Sequence, residues 1–266
     1  VGVAIGLALK GRPVMAEMQF IDFISCGFDQ IVNNAATMYY RTAGKASVPI
    51  VIRGPSGGYG GGGPYHSQQN ESWFAHSPGL KVVCPSTPFD AKGLLKASLR
   101  DPNPVIFYEV KELYRKREIE EIVPDEDYIV PLGKAAVRRE GTDVTFISYG
   151  NPVHFCLSAA EQLQEEENIS AEVIDLRTLV PLDDDAIIES IKKTNRVVVV
   201  NEASRTCGFA GEIVARINDY CFEYLDAPPI RVTRADTPVP WVKPLEMAVL
   251  PSVEDIVQAG IKVARY

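Results

Sequence analysis

Apolar positions along this chain follow two rhythms, and the pair of rhythms runs through it twice. In the first half, short β-branched runs at 13–18, 48–53, 80–84 and 105–109 predict strands. Between them Phe28, Ile31, Val32, Ala35, Ala36 and Tyr39 recur at helical spacing and predict a helix. Thr87-Pro88-Phe89-Asp90 opens another, with a capping threonine and a first-turn proline. The second half predicts strands at 143–149, 171–176, 197–201 and 230–233, separated by helices at 153–167, 184–193 and 210–220. Four consecutive valines, Val197 to Val200, suit a strand covered on both faces. Strands alternating with helices of crossover length are the pattern of parallel sheets, so the fold class is α/β. From Lys111 to Asp127 periodicity stops, charges crowd together, and Pro124 and Pro131 bracket the end of the stretch. The connection between two α/β domains, the second one smaller, is expected there. Within it Tyr114-Arg115-Lys116-Arg117 and the glutamates that follow read as a solvated segment without chemistry.

Composition sharpens this picture in a few places. A chain of 266 residues with 46% hydrophobic content can bury two ordinary cores. A formal net charge of -8, with scattered Lys and Arg, argues against a nucleic-acid backbone as the main partner. Cys26, Cys84, Cys156, Cys207 and Cys221 are odd in number, widely spaced, mostly inside apolar runs and free of any CxxC pair, so they read as buried thiols in a reducing compartment. No apolar run is long enough to cross a bilayer, and the opening lacks a signal-peptide pattern, so a soluble protein and no membrane partner are expected. That opening, Val1 to Leu9, starts without Met inside a small-residue helix that has no capping residue, and the natural chain is expected to continue upstream.

Chemistry concentrates after the second predicted strand, where Gly57-Gly58-Tyr59-Gly60-Gly61-Gly62-Gly63 runs into Pro64-Tyr65-His66-Ser67-Gln68. Glycines let backbone approach a ligand closely, and an imidazole exchanges a proton near neutral pH, so His66 is the leading catalytic candidate. A flexible surface turn with a chance histidine is the competing reading. His76, among Trp73, Phe74 and a turn, reads as a packed, hydrogen-bonded residue, and His154 has no partner at metal-ligand spacing. Gln19-Phe20-Ile21-Asp22-Phe23 follows a strand, where α/β sheets gather ligands, so one ring could stack on a heteroaromatic group while Gln19 hydrogen-bonds its edge. The glycine run has no following lysine for a P-loop and no Rossmann acidic partner, so a diphosphate would be bound by another chain.

Taken together, Glu17 to Phe23, Phe28 to Asn33, Tyr65 to Gln68, Pro78 to Val83, Asp90 to Leu95, Val173 to Thr178 and Asn201-Glu202-Ala203 resemble the beta subunit of the thiamine-diphosphate-dependent, decarboxylating component of 2-oxoacid dehydrogenase complexes, a transketolase-like family. The resemblance covers essentially the whole chain. It implies a pyrimidine-binding domain over 1–125 and a transketolase C-terminal domain over 126–266. It also implies an alpha subunit in an α2β2 heterotetramer that supplies most of the Mg2+ and diphosphate site, and a lipoyl acyltransferase core as a further partner. Gln19 and Phe23 would line the aminopyrimidine pocket, and His66 would face the reacting 2-oxoacid and supply a proton during acyl transfer to lipoamide. Ser98, Asp101 and Asn103 would lie near a monovalent cation, K+ by the resemblance, that is held through backbone oxygens.

The family's glutamate that promotes the imino tautomer of the aminopyrimidine falls a few residues before the Val-Gly opening and is absent from these 266 residues. Glu17 belongs to a different motif. The chain by itself is therefore expected to be catalytically incomplete. The motifs lean toward branched-chain 2-oxoacids, with pyruvate or acetoin enzymes, a transketolase-type half and a non-catalytic scaffold subunit as alternatives. A bacterial or archaeal cytoplasm and a mitochondrial matrix both fit.

Overall fold

The computed structural model describes every residue from Val1 to Tyr266. Its first half runs α1 (Gly2–Leu9), β1 (Val14–Glu17), a 3-10 segment (Ile21–Gly27), a π-helical turn (Gln30–Ala35), α2 (Met38–Arg41), β2 (Ile50–Ser56), α3 (Ser72–Ala75), β3 (Lys81–Val83), α4 (Pro88–Arg100) and β4 (Val105–Val110). The second half runs β5 (Ala136–Arg139), β6 (Val144–Ser148), α5 (Pro152–Glu167), β7 (Ala171–Asp175), β8 (Thr178–Val180), α6 (Asp184–Thr194), β9 (Val197–Ser204), α7 (Phe209–Cys221), β10 (Ile230–Arg234), α8 (Lys243–Val249) and α9 (Val253–Ala264). Each half builds a five-stranded sheet, in the orders β1-β2-β4-β3-β8 and β10-β9-β6-β7-β5. Four strands of each sheet are parallel, and the fifth closes one edge antiparallel. The expected α/β class with largely parallel sheets is what the chain adopts.

The strands form where the sequence offers β-branched runs that helices can cover on both faces. All five residues of β6 and the four valines of β9 are buried. Helix α4 begins as its sequence predicts, with the Thr87 hydroxyl accepting from the Asp90 amide at 3.2 Å. The regular helix expected from Phe28 to Tyr39 does not form. A π-helical turn, marked by the Ala36 amide bonding the Ile31 carbonyl at 2.9 Å, widens the winding. Ile31, Ala35 and Ala36 reach the core, whereas Phe28 and Tyr39 are turned outward. Phe28 settles against Phe74 and Trp73, at centroid separations of 5.6 and 6.2 Å.

Between β4 and β5 the charged stretch is stitched onto α4 rather than left free. Glu121 accepts from the Phe89 amide at 2.6 Å, Asp127 pairs with Lys96 and Arg100, and Tyr128 stacks on Phe89 at 4.5 Å. The two halves then share both a sheet and a core. Strand β8, from the second half, completes the first sheet by pairing with β3, Val82 opposite Val180. One apolar cluster of 31 buried residues draws Ile52 and Tyr108 from the first sheet together with Ile147 and Val199 from the second.

Fully buried charge crosses the same seam. Asp90 accepts from Arg177 at 2.9 Å and from Arg138, which also bonds Asp175 at 2.7 Å, while the Ser86 hydroxyl donates to Asp175. Asp90 and Asp175 have no solvent exposure, so each depends on these donors to offset lost hydration. Removing the Asp90 carboxylate takes the neutralising charge from Arg177, which keeps only backbone carbonyls, and leaves Arg138 with Asp175 alone. Asp90→Ala is therefore expected to destabilise the chain by about 3 kcal/mol, read as a lower urea midpoint in equilibrium unfolding.

Candidate active site

Three adjacent parallel strands deliver the candidate residues to one edge. β1, β2 and β4 are neighbours in register, so their carboxyl ends open side by side. Gln19 to Phe23 leaves the end of β1, the glycine segment leaves β2, and Lys111 to Glu118 leaves β4. Arg53 ties the three strands together, bonding Glu109 at 2.6 Å on one side and Glu17 on the other.

At this edge the His66 ring sits between two phenyl rings. Phe20 meets it edge-on at 4.3 Å and Phe23 at 5.6 Å, with interplanar angles of 89° and 82°. The backbone is pinned around it: Asp22 accepts from the Ser67 and Gln68 amides at 3.1 and 3.0 Å, and the Lys111 ammonium donates to the His66 carbonyl. Lys111 also lies 5.4 Å from the centre of the Phe20 ring, and its burial lowers its pKa. Gln19 is exposed and lines, with Phe20, Pro55, Lys111 and Tyr114, an open cleft of about 760 Å³. The segment Tyr114 to Lys116, read from sequence as merely solvated, thus forms one wall of that cleft.

The glycine segment is held from the second half of the chain. The Gly58 amide donates to Glu202 and the Gly61 amide to both oxygens of Glu246, at 3.1 and 3.0 Å. The Tyr59 hydroxyl donates to the Pro251 carbonyl at 2.7 Å, and Lys243 donates to the Tyr59 carbonyl. Close approach explains the need for glycine. At Gly58 a Cβ would stand 2.8 Å from Leu250, and at Gly63, where φ is +62°, it would stand 2.6 Å from the Trp241 ring. Glu202 is fully buried, and that burial pushes its pKa up to about 7 against the opposing pull of the Gly58 amide and Arg234.

Comparison with known proteins places this edge in a lineage. Residues 1–117 match the family model for the transketolase pyrimidine binding domain, and residues 133–256 match that for the transketolase C-terminal domain. The chain is 51% identical over 242 residues to the mitochondrial 2-oxoisovalerate dehydrogenase subunit beta of Dictyostelium discoideum, covering 91% of this chain and 65% of that protein. To the 2-oxoisovalerate dehydrogenase subunit beta of Bacillus subtilis it is 47% identical over 266 residues, covering 100% of this chain and 80% of that one. The chain belongs to the family of 2-oxoacid dehydrogenase E1 beta subunits.

Another member of the E1 beta family, the mitochondrial pyruvate dehydrogenase E1 component subunit beta of Caenorhabditis elegans, is 45% identical over 260 residues, covering 97% of this chain and 74% of that protein. Among solved structures, a split-gene transketolase described as an inactive beta4 tetramer superposes with a TM-score of 0.78 at 24% identity, over 99% of this chain and 80% of that one, a likeness of fold.

Other candidates in this E1 beta chain lie elsewhere. Ser98, Asp101 and Asn103 come together where α4 meets β4, at the amino edge of the sheet and opposite His66. There the Ser98 hydroxyl donates to the Leu94 carbonyl at 2.7 Å, Asp101 accepts from the Asn103 amide at 2.9 Å, and Lys81 pairs with the same carboxylate. No group of three or more His, Cys, Asp or Glu side chains is arranged to hold a metal ion. His76 is exposed rather than packed, because the short α3 turns it away from Phe74. His154 bridges the two halves, with Nε2 at 2.8 Å from the Ser86 carbonyl, and burial lowers its pKa. Of the five free thiols, all read from sequence as buried, Cys84, Cys156 and Cys221 are buried, but Cys26 and Cys207 are exposed. Sequence reasoning missed the roles of Glu202 and Glu246 in holding the glycine loop. Glu202 carried a positional signal, since it follows the four-valine run toward the carboxyl end of its strand, whereas Glu246 lies in a short helix with no such mark.

Gly63→Ala is expected to strain the loop and push Trp241 off it. Trp241 emission, read in a Trp73→Phe background, should shift to longer wavelength, with roughly 1–3 kcal/mol of stability lost in urea unfolding.

Proposed function

We propose that this chain acts as the beta subunit of the first component of a 2-oxoacid dehydrogenase complex, decarboxylating a branched-chain 2-oxoacid and passing the acyl group to a lipoyl domain. The observation that carries the reading is the imidazole of His66 set between Phe20 and Phe23, beside the exposed amide of Gln19, at the carboxyl edge of a pyrimidine-binding-type sheet. These residues fit thiamine diphosphate. Two phenyl rings offer apolar faces to a planar heterocycle, an amide can satisfy its polar edge, and the open cleft beside them has room for a ligand. When bound, the cofactor supplies the electron sink that the decarboxylation needs.

The chain's own residues perform the remaining tasks. Gln19 hydrogen-bonds the aminopyrimidine edge and Phe23 packs against the ring. His66, oriented by its two aromatic neighbours and by the pinned backbone on either side, gives a ring-nitrogen proton to the lipoyl sulfur released when the disulfide is cleaved. The two electrons that reduce that disulfide come from the decarboxylated substrate, which leaves as an acyl group on the other sulfur.

An alpha subunit in an α2β2 assembly is proposed to hold the diphosphate and Mg2+, consistent with the lack of a lysine-bearing phosphate loop here. Tyr65, Trp241, Val242 and Leu245 are exposed and offer such a companion an apolar surface to cover. Ser98, Asp101 and Asn103 are proposed to flank a monovalent cation through backbone oxygens. No helix is long and apolar enough to cross a membrane, and the proposed compartment is a bacterial cytoplasm or a mitochondrial matrix. Pyruvate is the second substrate reading, because the relatives include pyruvate dehydrogenase beta subunits at 45–46% identity.

The test uses the full-length protein assembled with its alpha subunit. A substrate panel should show CO2 release dependent on thiamine diphosphate and fastest with branched-chain 2-oxoacids. His66→Ala should lower lipoyl acylation by about 10²-fold or more. An assembly that binds the cofactor yet releases CO2 from no 2-oxoacid would overturn the assignment.

A further inference from the structure

We propose that Glu202 is a positioning residue for acyl transfer, holding from the second domain the glycine loop that carries His66; this rests on the role proposed above for His66. The loop from Gly57 to Gln68 is closed at its neck, where the Gly57 amide bonds the Gln68 carbonyl at 3.0 Å. Inside that ring the only regular structure is a single 3-10 turn at Gly63–Tyr65. A segment with so many glycines loses much conformational freedom on ordering, so its shape has to be imposed by contacts from outside.

Three carboxylates impose it. Asp22, from the first domain, takes the Ser67 and Gln68 amides beside the histidine. Glu246 takes the Gly61 amide at the crown, and Glu202 takes the Gly58 amide next to the neck. Glu202 also fills the space that a side chain at position 57 would need, since a Cβ on Gly57 would lie 3.0 and 3.3 Å from its two oxygens. It lies buried in the last half of β9, where its side chain has no other hydrogen-bonding duty: its second oxygen has no protein partner. Moving it therefore moves the loop.

Such a grip depends on charge. A carboxylate accepts from a backbone amide more strongly than a carboxylic acid does. Around Glu202 stand Tyr59 on the loop, Glu71 before α3, Cys84 after β3, Lys111 after β4, Arg234 at the end of β10 and Glu246 on α8. Burial sets its titration near pH 7, so the group is ionised above that pH and neutral below it. The loop is held firmly on the alkaline side and loosens as pH falls through about 7.

The experiment compares wild type, Glu202→Gln, Glu202→Ala and His66→Ala in the assembled alpha–beta enzyme. Lipoyl-domain acylation and CO2 release with an artificial dye acceptor are measured from pH 6 to 8, with amide hydrogen exchange across residues 57–68. Glu202→Gln keeps the shape and an acceptor oxygen but has no charge to titrate. It should match wild type at pH 6, fall about tenfold below it at pH 8, and exchange faster at Gly58 to Gly61. Glu202→Ala should lose acylation at both pH values. Wherever acylation falls, at pH 8 for Glu202→Gln and at both pH values for Glu202→Ala, the fall should be in kcat while KM for the lipoyl domain and dye-linked CO2 release stay within about twofold of wild type. If His66→Ala loses acylation but both Glu202 variants keep wild-type rates, pH profile and exchange, the positioning role is wrong. If His66→Ala keeps acylation, the catalytic reading fails first, and exchange in Glu202→Gln still decides whether this carboxylate holds the loop.

Discussion

The seam between the two domains is the constraint on which the rest of this structure depends. It is dry enough for Asp90, Asp175, Glu71 and Glu202 to be almost wholly hidden from solvent, and each survives there only because a donor from another element meets it. Charge in such a place has a high desolvation cost and tolerates little rearrangement. The geometry of the seam is consequently set by polar pairs as much as by apolar packing. The Tyr149 hydroxyl, for example, donates to Glu71 at 2.6 Å and accepts from Asn201 at 3.0 Å, linking the loop before α3 to the middle of β9.

That rigidity matters because the reactive edge has little regular structure of its own. Parallel strands bring three loops to one place but do not fix the loops' internal shape. The first domain supplies His66, its aromatic neighbours and Asp22, and the second supplies Glu202 and Glu246, which take amides of the glycine loop. The edge of one sheet is completed by carboxylates from β9 and α8 of the other domain.

Much of this could be read from residue order. Strands covered on both faces declare themselves, which is why Val144–Ser148 and Val197–Ser204 fell where the apolar runs predicted. So did the helix opened by Thr87, because its capping chemistry is local. Features decided by distant partners left weaker traces. β5 and β8 are short edge strands whose pairing depends on β7 and β3, and the helix expected from Phe28 was rewound by the demand to bury Ile31, Ala35 and Ala36 together. The same division holds at the site. Gln19, Phe23 and His66 belong to local motifs and could be named in advance, and their nearness to one edge followed from strand order. The closer contact of Phe20 with His66, and the grasp of Glu202 and Glu246 on residues far earlier in the chain, exist only in three dimensions.

Strand β8 has a consequence for how the protein is made. The sheet of the first domain ends at β3 until Thr178–Val180 arrives from beyond the domain connection. During synthesis from the N-terminal end, β3 therefore waits as an uncapped hydrogen-bonding edge while the linker and the three strands β5, β6 and β7 emerge, the situation in which chains pair with the wrong neighbour. Nascent-chain protection by chaperones would matter most over that interval and would become dispensable once the borrowed strand has docked.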